Sequence, residues 1–161
     1  MLVGQDWGCP WDAGAAEVMR NVQAMNRGQS IGYMRENKNP TDRNLIELFR
    51  SIGFDILTDD SRLFFTNFVM GYRVKGTSGN FKKSWVAADA EYFHRLVKII
   101  RPRILLCLGK DTWKSVLGCF DSTISHKMSY NRVIESEKNP VVVKLSDGMP
   151  VYVFALAHCG V

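Results

Sequence analysis

The sequence predicts an α/β fold, a three-layer α/β/α sandwich around a short, mainly parallel central sheet. Three observations carry this. Short apolar runs alternate with amphipathic stretches along the chain, the pattern of strands with helices on both faces. The run Ile104-Leu105-Leu106-Cys107-Leu108 is apolar throughout, as expected of a strand buried on both sides. Two further runs flank Asp147-Gly148, a hairpin turn signal. No repeat, low-complexity tract or long linker divides the 161 residues, and this length suits one core, so a single domain over residues 1–161 is expected.

Each element has its own local signal. Met1 to Gly4 reads as the end of a strand. Thr41 to Ile52 reads as a helix capped by Thr41, with Leu45, Leu48, Phe49 and Ile52 on its apolar face and Gly53 as its stop. Leu63 to Phe68 is rich in β-formers and predicts a strand that Asn67 closes. Ser84 to Ile100 is the clearest helix: Trp85, Ala88, Tyr92, Leu96 and Ile99 recur at helical spacing, and Pro102 ends it. Asp111 is expected to cap a short helix carrying Trp113, Val116 and Leu117, with Gly118 as its stop. Val141 to Leu145 and Val151 to Leu156 form the predicted hairpin. Residues 12–28 read as partly helical and residues 121–139 as loop.

Composition narrows the function classes. Hydrophobic residues at 46% and charged residues at 23% exclude a disordered or fibrous chain. The longest apolar runs, such as Val151 to Ala157, fall far short of a bilayer span. The first six residues lack the basic and apolar segments of a secretory signal. A cytoplasmic protein with reduced thiols is expected, and no membrane partner. The four cysteines, Cys9, Cys107, Cys119 and Cys159, are scattered without metal-binding spacing, and Cys107 reads as a small core residue. His94, His126 and Cys119 form no metal spacing either. The net charge of +5 is compatible with a polyanionic partner without requiring one.

Candidate functional residues gather where predicted strands finish, the place where open parallel sheets bind ligands. Gly4-Gln5-Asp6-Trp7-Gly8 follows the first strand, Thr66-Asn67 the second, Gly109-Lys110 the third and His158-Cys159-Gly160 the last. Singly, each has an ordinary structural use: Asp6 in a turn, Asn67 bonded to a loop, His158 as a satisfied histidine. Together they would bring a carboxylate, an amide, an ammonium and an imidazole to one rim. Gly109-Lys110 is not a phosphate loop, because Ile104 and Asp111 stand where that motif needs Gly and Ser or Thr.

In this order of motifs the chain resembles the uracil-DNA glycosylase superfamily, from Gly4 to Gly160. The resemblance implies that Asp6 positions water and faces the reacting sugar carbon. It implies that Asn67 reads the base edge and that His158 bonds the base carbonyl that gains charge. Gln5 and Tyr33 are expected to line the substrate pocket, Tyr33 by stacking on the extruded base, and Lys110 to contact a DNA phosphate. The chemistry suits the residue types. Cleaving the glycosidic bond leaves positive character on the sugar and negative charge on the base, so a fixed carboxylate stabilises one and an imidazole N–H the other. An amide supplies both a donor and an acceptor, which discriminates uracil from cytosine. The base must first be flipped from the duplex, at a cost of a few kcal/mol.

The chain also departs from the family pattern. In the best-studied branch the Asp loop continues with Pro and a Tyr that blocks the thymine methyl; Trp7 and Gly8 stand there, so thymine exclusion would rest on Trp7 or Trp11. The iron–sulfur branch needs four cysteines at positions this chain does not match, so no cluster is expected, nor any metal or organic cofactor. The family's His-Pro-Ser loop reads His158-Cys159-Gly160, and its helices before the first strand have no counterpart, as in a fragment or in a relative trimmed at both ends. The resemblance implies a hydrolase in base-excision repair; a monomer is expected, though the sequence itself is silent on oligomeric state. A non-catalytic nucleic-acid-binding relative, and a glycosylase for hypoxanthine, xanthine or mismatched thymine, remain open alternatives.

Overall fold

A computed structural model describes residues 1–7, 19–20, 23–24, 27, 40–58, 62–72 and 82–158. The predicted segment 12–28 falls mostly outside them, as do Tyr33, Trp11 and Gly8. In chain order the elements are β1 (Leu2–Trp7), α1 (Pro40–Ser51), β2 (Phe65–Tyr72), α2 (Lys83–Ile100), β3 (Ile104–Leu108), α3 (Lys110–Phe120), α4 (Ser122–Lys127), α5 (Tyr130–Ile134), β4 (Val141–Lys144) and β5 (Pro150–Leu156). Two compact units emerge: Met1–Gly8 with Leu63–His158, and Cys9–Arg62 with Cys159–Val161.

The larger unit is built on a five-stranded sheet in the order β2-β1-β3-β5-β4. The first four strands are mutually parallel, and β4 runs antiparallel to β5 as the predicted hairpin. This is a mostly parallel α/β sheet. Alternation sends Val3, Phe68, Leu105, Cys107, Val151, Val153 and Ala155 into one buried core, completed by Phe93 and Val97 of α2 and Trp113, Val116 and Leu117 of α3. The residues between them on β3 and β5 are less covered: Ile104 is 47% and Tyr152 43% exposed. The apolar run in β3 is therefore shielded unevenly, with Ile104 and Tyr152 paired across the two strands.

Several boundaries move for physical reasons. β1 does not stop at Gly4; Asp6 pairs with Val69, and Trp7 pairs with Tyr72 after a bulge, so Gln5 and Asp6 belong to a strand rather than a loop. β2 begins at Phe65 and runs to Tyr72, so Asn67 lies inside it and does not close it. The buried side of α2 is turned from the one the periodicity suggested. Phe93 and Val97 are buried, whereas Tyr92 is 59% and Ile99 76% exposed. Asp89 belongs to the inward row, one turn before Phe93, and its Oδ2 accepts the Met70 N–H of β2 at 2.8 Å. A carboxylate in that row disguised the buried face as a polar one. Phe93 seals the contact, its ring 4.8 Å from that of Phe68.

Both ends of α1 differ from expectation. The helix starts at Pro40, a residue pre-set for the first helical turn, instead of being capped by Thr41. Leu45, Ile46 and Phe49 are buried, while Leu48 and Ile52 are exposed. Gly53 does end it, at φ +77°, with Gly53 N–H donating to Arg50 O at 2.9 Å and Phe54 N–H to Phe49 O at 2.9 Å. The Phe49 and Phe54 rings stand 5.9 Å apart across this cap. Gly53→Ala forces a Cβ into the left-handed region and is expected to cost about 1 kcal/mol, read as a lower urea midpoint at constant m-value.

α3 starts after Gly109, not at Asp111, and continues through Gly118 to Phe120. Residues 121–139, expected as loop, contain α4 and α5. Asp121 caps α4, its Oδ1 accepting from the Thr123 N–H at 2.8 Å and hydroxyl at 2.7 Å, and these bonds hold its carboxyl below the usual range. Asn139 then acts as a piece of strand. Its amide nitrogen donates to Ala155 O at 3.0 Å and its Oδ1 accepts the Ala155 N–H at 2.9 Å, continuing the β4–β5 ladder beyond Val141–Val153. Asn139→Ala leaves both Ala155 groups unpaired and should lower unfolding free energy by about 2 kcal/mol in denaturant titration.

Candidate active site

The sheet's register brings the ends of different strands to one level. Val3 pairs with Thr66 and with Cys107, and Cys107 pairs with Ala155. One residue later on all four strands stand Gly4, Asn67, Leu108 and Leu156. β3 and β5 end there, while β1 and β2 run on. Asn67 is thus inside its own strand yet level with the carboxyl ends of the inner strands. Asp6, Lys110 and His158 each follow this level by two residues. Adjacent strands lie about 4.8 Å apart, so β1 and β5, separated by β3, are spaced by about 10 Å.

Asn67 and Gly4 form the closest arrangement. Asn67 is 4% exposed, one of the few buried polar residues. Gly4 stands opposite it on β1, and a Cβ built on Gly4 would collide with Asn67 Oδ1 and lie 3.3 Å from its Cγ. Only glycine leaves room for the amide over β1. The second arrangement joins the β3 and β5 ends. Gly109, at φ +85°, donates its N–H to Leu156 O at 2.9 Å. A Cβ there would lie 3.5 Å from His158 Cδ2, so the exposed imidazole sits against Gly109. Gln5 is half-buried in β1 between Gly4 and Asp6. Tyr33 lies outside the described residues, and Asp6 is described by its place in the strand.

No family model matches the chain. No curated protein matches it either.

Among the described residues the thiols are Cys107 and Cys119, and neither ionises readily. Cys107 is fully buried and burial drives its pKa far upward, while burial pushes Cys119 up to about 11. Among the described residues no group of three His, Cys, Asp or Glu could hold a metal, and no helix is long and apolar enough to cross a membrane. Burial lowers the pKa of His94, helped by Lys98, and its ring meets the edge of Phe120, a packing role away from the strand ends.

One feature was not singled out from sequence. A cavity of about 320 Å³ opens beside Lys110, lined also by Lys114, Lys127, Ser129, Tyr130 and Asn131. Asn67 and His158 do not line it. Lys110 and Lys114 are one helical turn apart on α3, a spacing that signals a shared face. Lys127 and Ser129 come from the segment read as loop, and so gave no signal.

Proposed function

We propose that the protein is a cytoplasmic, monomeric DNA glycosylase with a three-layer uracil-DNA glycosylase-like fold, hydrolysing the N-glycosidic bond of a flipped-out base, most simply uracil. The observation that carries this is the buried Asn67 amide over a Gly4 that tolerates no side chain, level with the ends of β3 and β5. Burying an amide is costly unless it finds partners. An amide kept at a strand-end rim, with a glycine opposite to make room, suits the reading of a donor–acceptor edge such as uracil's.

In this reading Asn67 pairs with the base edge and His158 donates to the carbonyl oxygen that becomes negative. Asp6 stabilises the sugar charge and orients the attacking water, and Gln5 binds the substrate; the stacking role that the resemblance implies for Tyr33 falls outside the described residues. Water adds to the sugar carbon as its bond to the base nitrogen breaks; the electron pair leaves with the base, and water's proton balances the charge. Incubating the purified chain with oligonucleotides bearing uracil, hypoxanthine, xanthine or mismatched thymine, then cleaving abasic sites with alkali, tests the proposal. Strand breaks are expected first with uracil. Binding without breaks on any substrate would instead identify a non-catalytic DNA-binding relative.

A further inference from the structure

We infer that the lysine-lined cavity beside α3 is a seat for a backbone phosphate of nucleic acid. This rests on the glycosylase reading for the polymer's identity, and on the cavity alone for the phosphate chemistry. Lys110, Lys114 and Lys127 line one cavity of about 320 Å³ together with Ser129 and Asn131. Like charges gathered on one lining favour an anion between them. No carboxylate is among the described residues lining it. The nearest along the chain, Asp111, follows Lys110 in the first turn of α3 without lining the cavity, and Asp121, which feels the charge of Lys127, caps α4 through Thr123. Lysines supply charge, and a hydroxyl and an amide N–H add directed donors, the combination that phosphodiester oxygens use.

The cavity is also fixed relative to the strand ends. Tyr130 donates its hydroxyl to Leu156 O, the last residue of β5, at 2.5 Å, and its ring meets Trp113 of α3 at 5.8 Å. Lys110 begins α3 directly after Gly109, which touches His158. A phosphate held here lies along the same sheet end as the base-reading residues, where it can position a strand without contacting a base.

The test is fluorescence anisotropy of a labelled, undamaged DNA duplex against the full chain, across a salt series. The Lys114→Ala/Lys127→Ala double variant is expected to bind about tenfold more weakly, with a salt slope shallower by about two. Lys98→Ala, which removes a charge from exposed α2 surface, should shift affinity less than twofold. Equal losses in the two proteins would reduce the cavity to general positive charge and overturn the inference. So would inorganic phosphate that binds the cavity, seen as lysine chemical-shift changes, without competing with the duplex. The two readings fail separately. A chain that releases no base yet loses duplex affinity on Lys114→Ala/Lys127→Ala keeps the phosphate seat and loses the glycosylase. A chain that excises uracil with unchanged KM in the double variant keeps the glycosylase and loses the seat.

Discussion

His158→Ala is expected to slow uracil release under single-turnover conditions by about 10²–10³-fold, the usual loss when one preorganised donor to a developing oxyanion is removed. The folded state should be little affected, because the imidazole is exposed and lies against Gly109. Thermal midpoints of variant and parent should therefore agree within about a degree, as surface substitutions commonly cost less than 0.5 kcal/mol. In the proposed mechanism Asp6→Asn removes the charge that stabilises the sugar and should cost a comparable factor. If the two groups stabilise opposite charges of one transition state, combining the substitutions should cost less than the product of the single losses. A His158→Ala protein that excises uracil at the parent rate would remove the imidazole from the mechanism. A large drop in its melting temperature would assign it to the fold instead.

What could be read from sequence divides along a physical line. Elements fixed by neighbouring residues were legible: β3 at Ile104–Leu108, the β4–β5 hairpin around Asp147-Gly148, and the stop of α1 at Gly53. Features set by partners distant in the chain were not. The length of β1 depends on β2 continuing beside it to Tyr72, and the inward side of α2 depends on Met70 offering Asp89 an N–H. α4 and α5 are six and five residues long, too short for any periodicity to declare itself. The same division runs through the candidate site. Asn67 stood out as an amide in an apolar strand. That it lies opposite Gly4, and level with Leu108 and Leu156, is a fact of register that only strand pairing supplies.

That register makes Gly4→Ala the sharper probe of the site. An added methyl group looks conservative, and alanine is tolerated in most strands. Here the Cβ would overlap Asn67 Oδ1 and press on its Cγ, with Phe65 Cζ 3.6 Å away as the next neighbour. Asn67 is buried and cannot simply swing into solvent. The amide must therefore change rotamer or the two strands must separate, and overpacking of this kind costs about 1–3 kcal/mol. The expected result is a lower unfolding midpoint together with loss of uracil-over-cytosine preference, because a displaced amide no longer presents its donor and acceptor to one base edge. Stability and selectivity can be separated by shortening the partner. In the Gly4→Ala/Asn67→Ala double variant the overlap is gone, so stability should recover relative to Gly4→Ala alone, while selectivity stays lost. The stability changes should thus fail to add, as required of residues in direct contact. Gly4→Ala with parental stability and intact preference would mean that Asn67 does not lie over β1, and the case for an amide reader at this rim would fall with it.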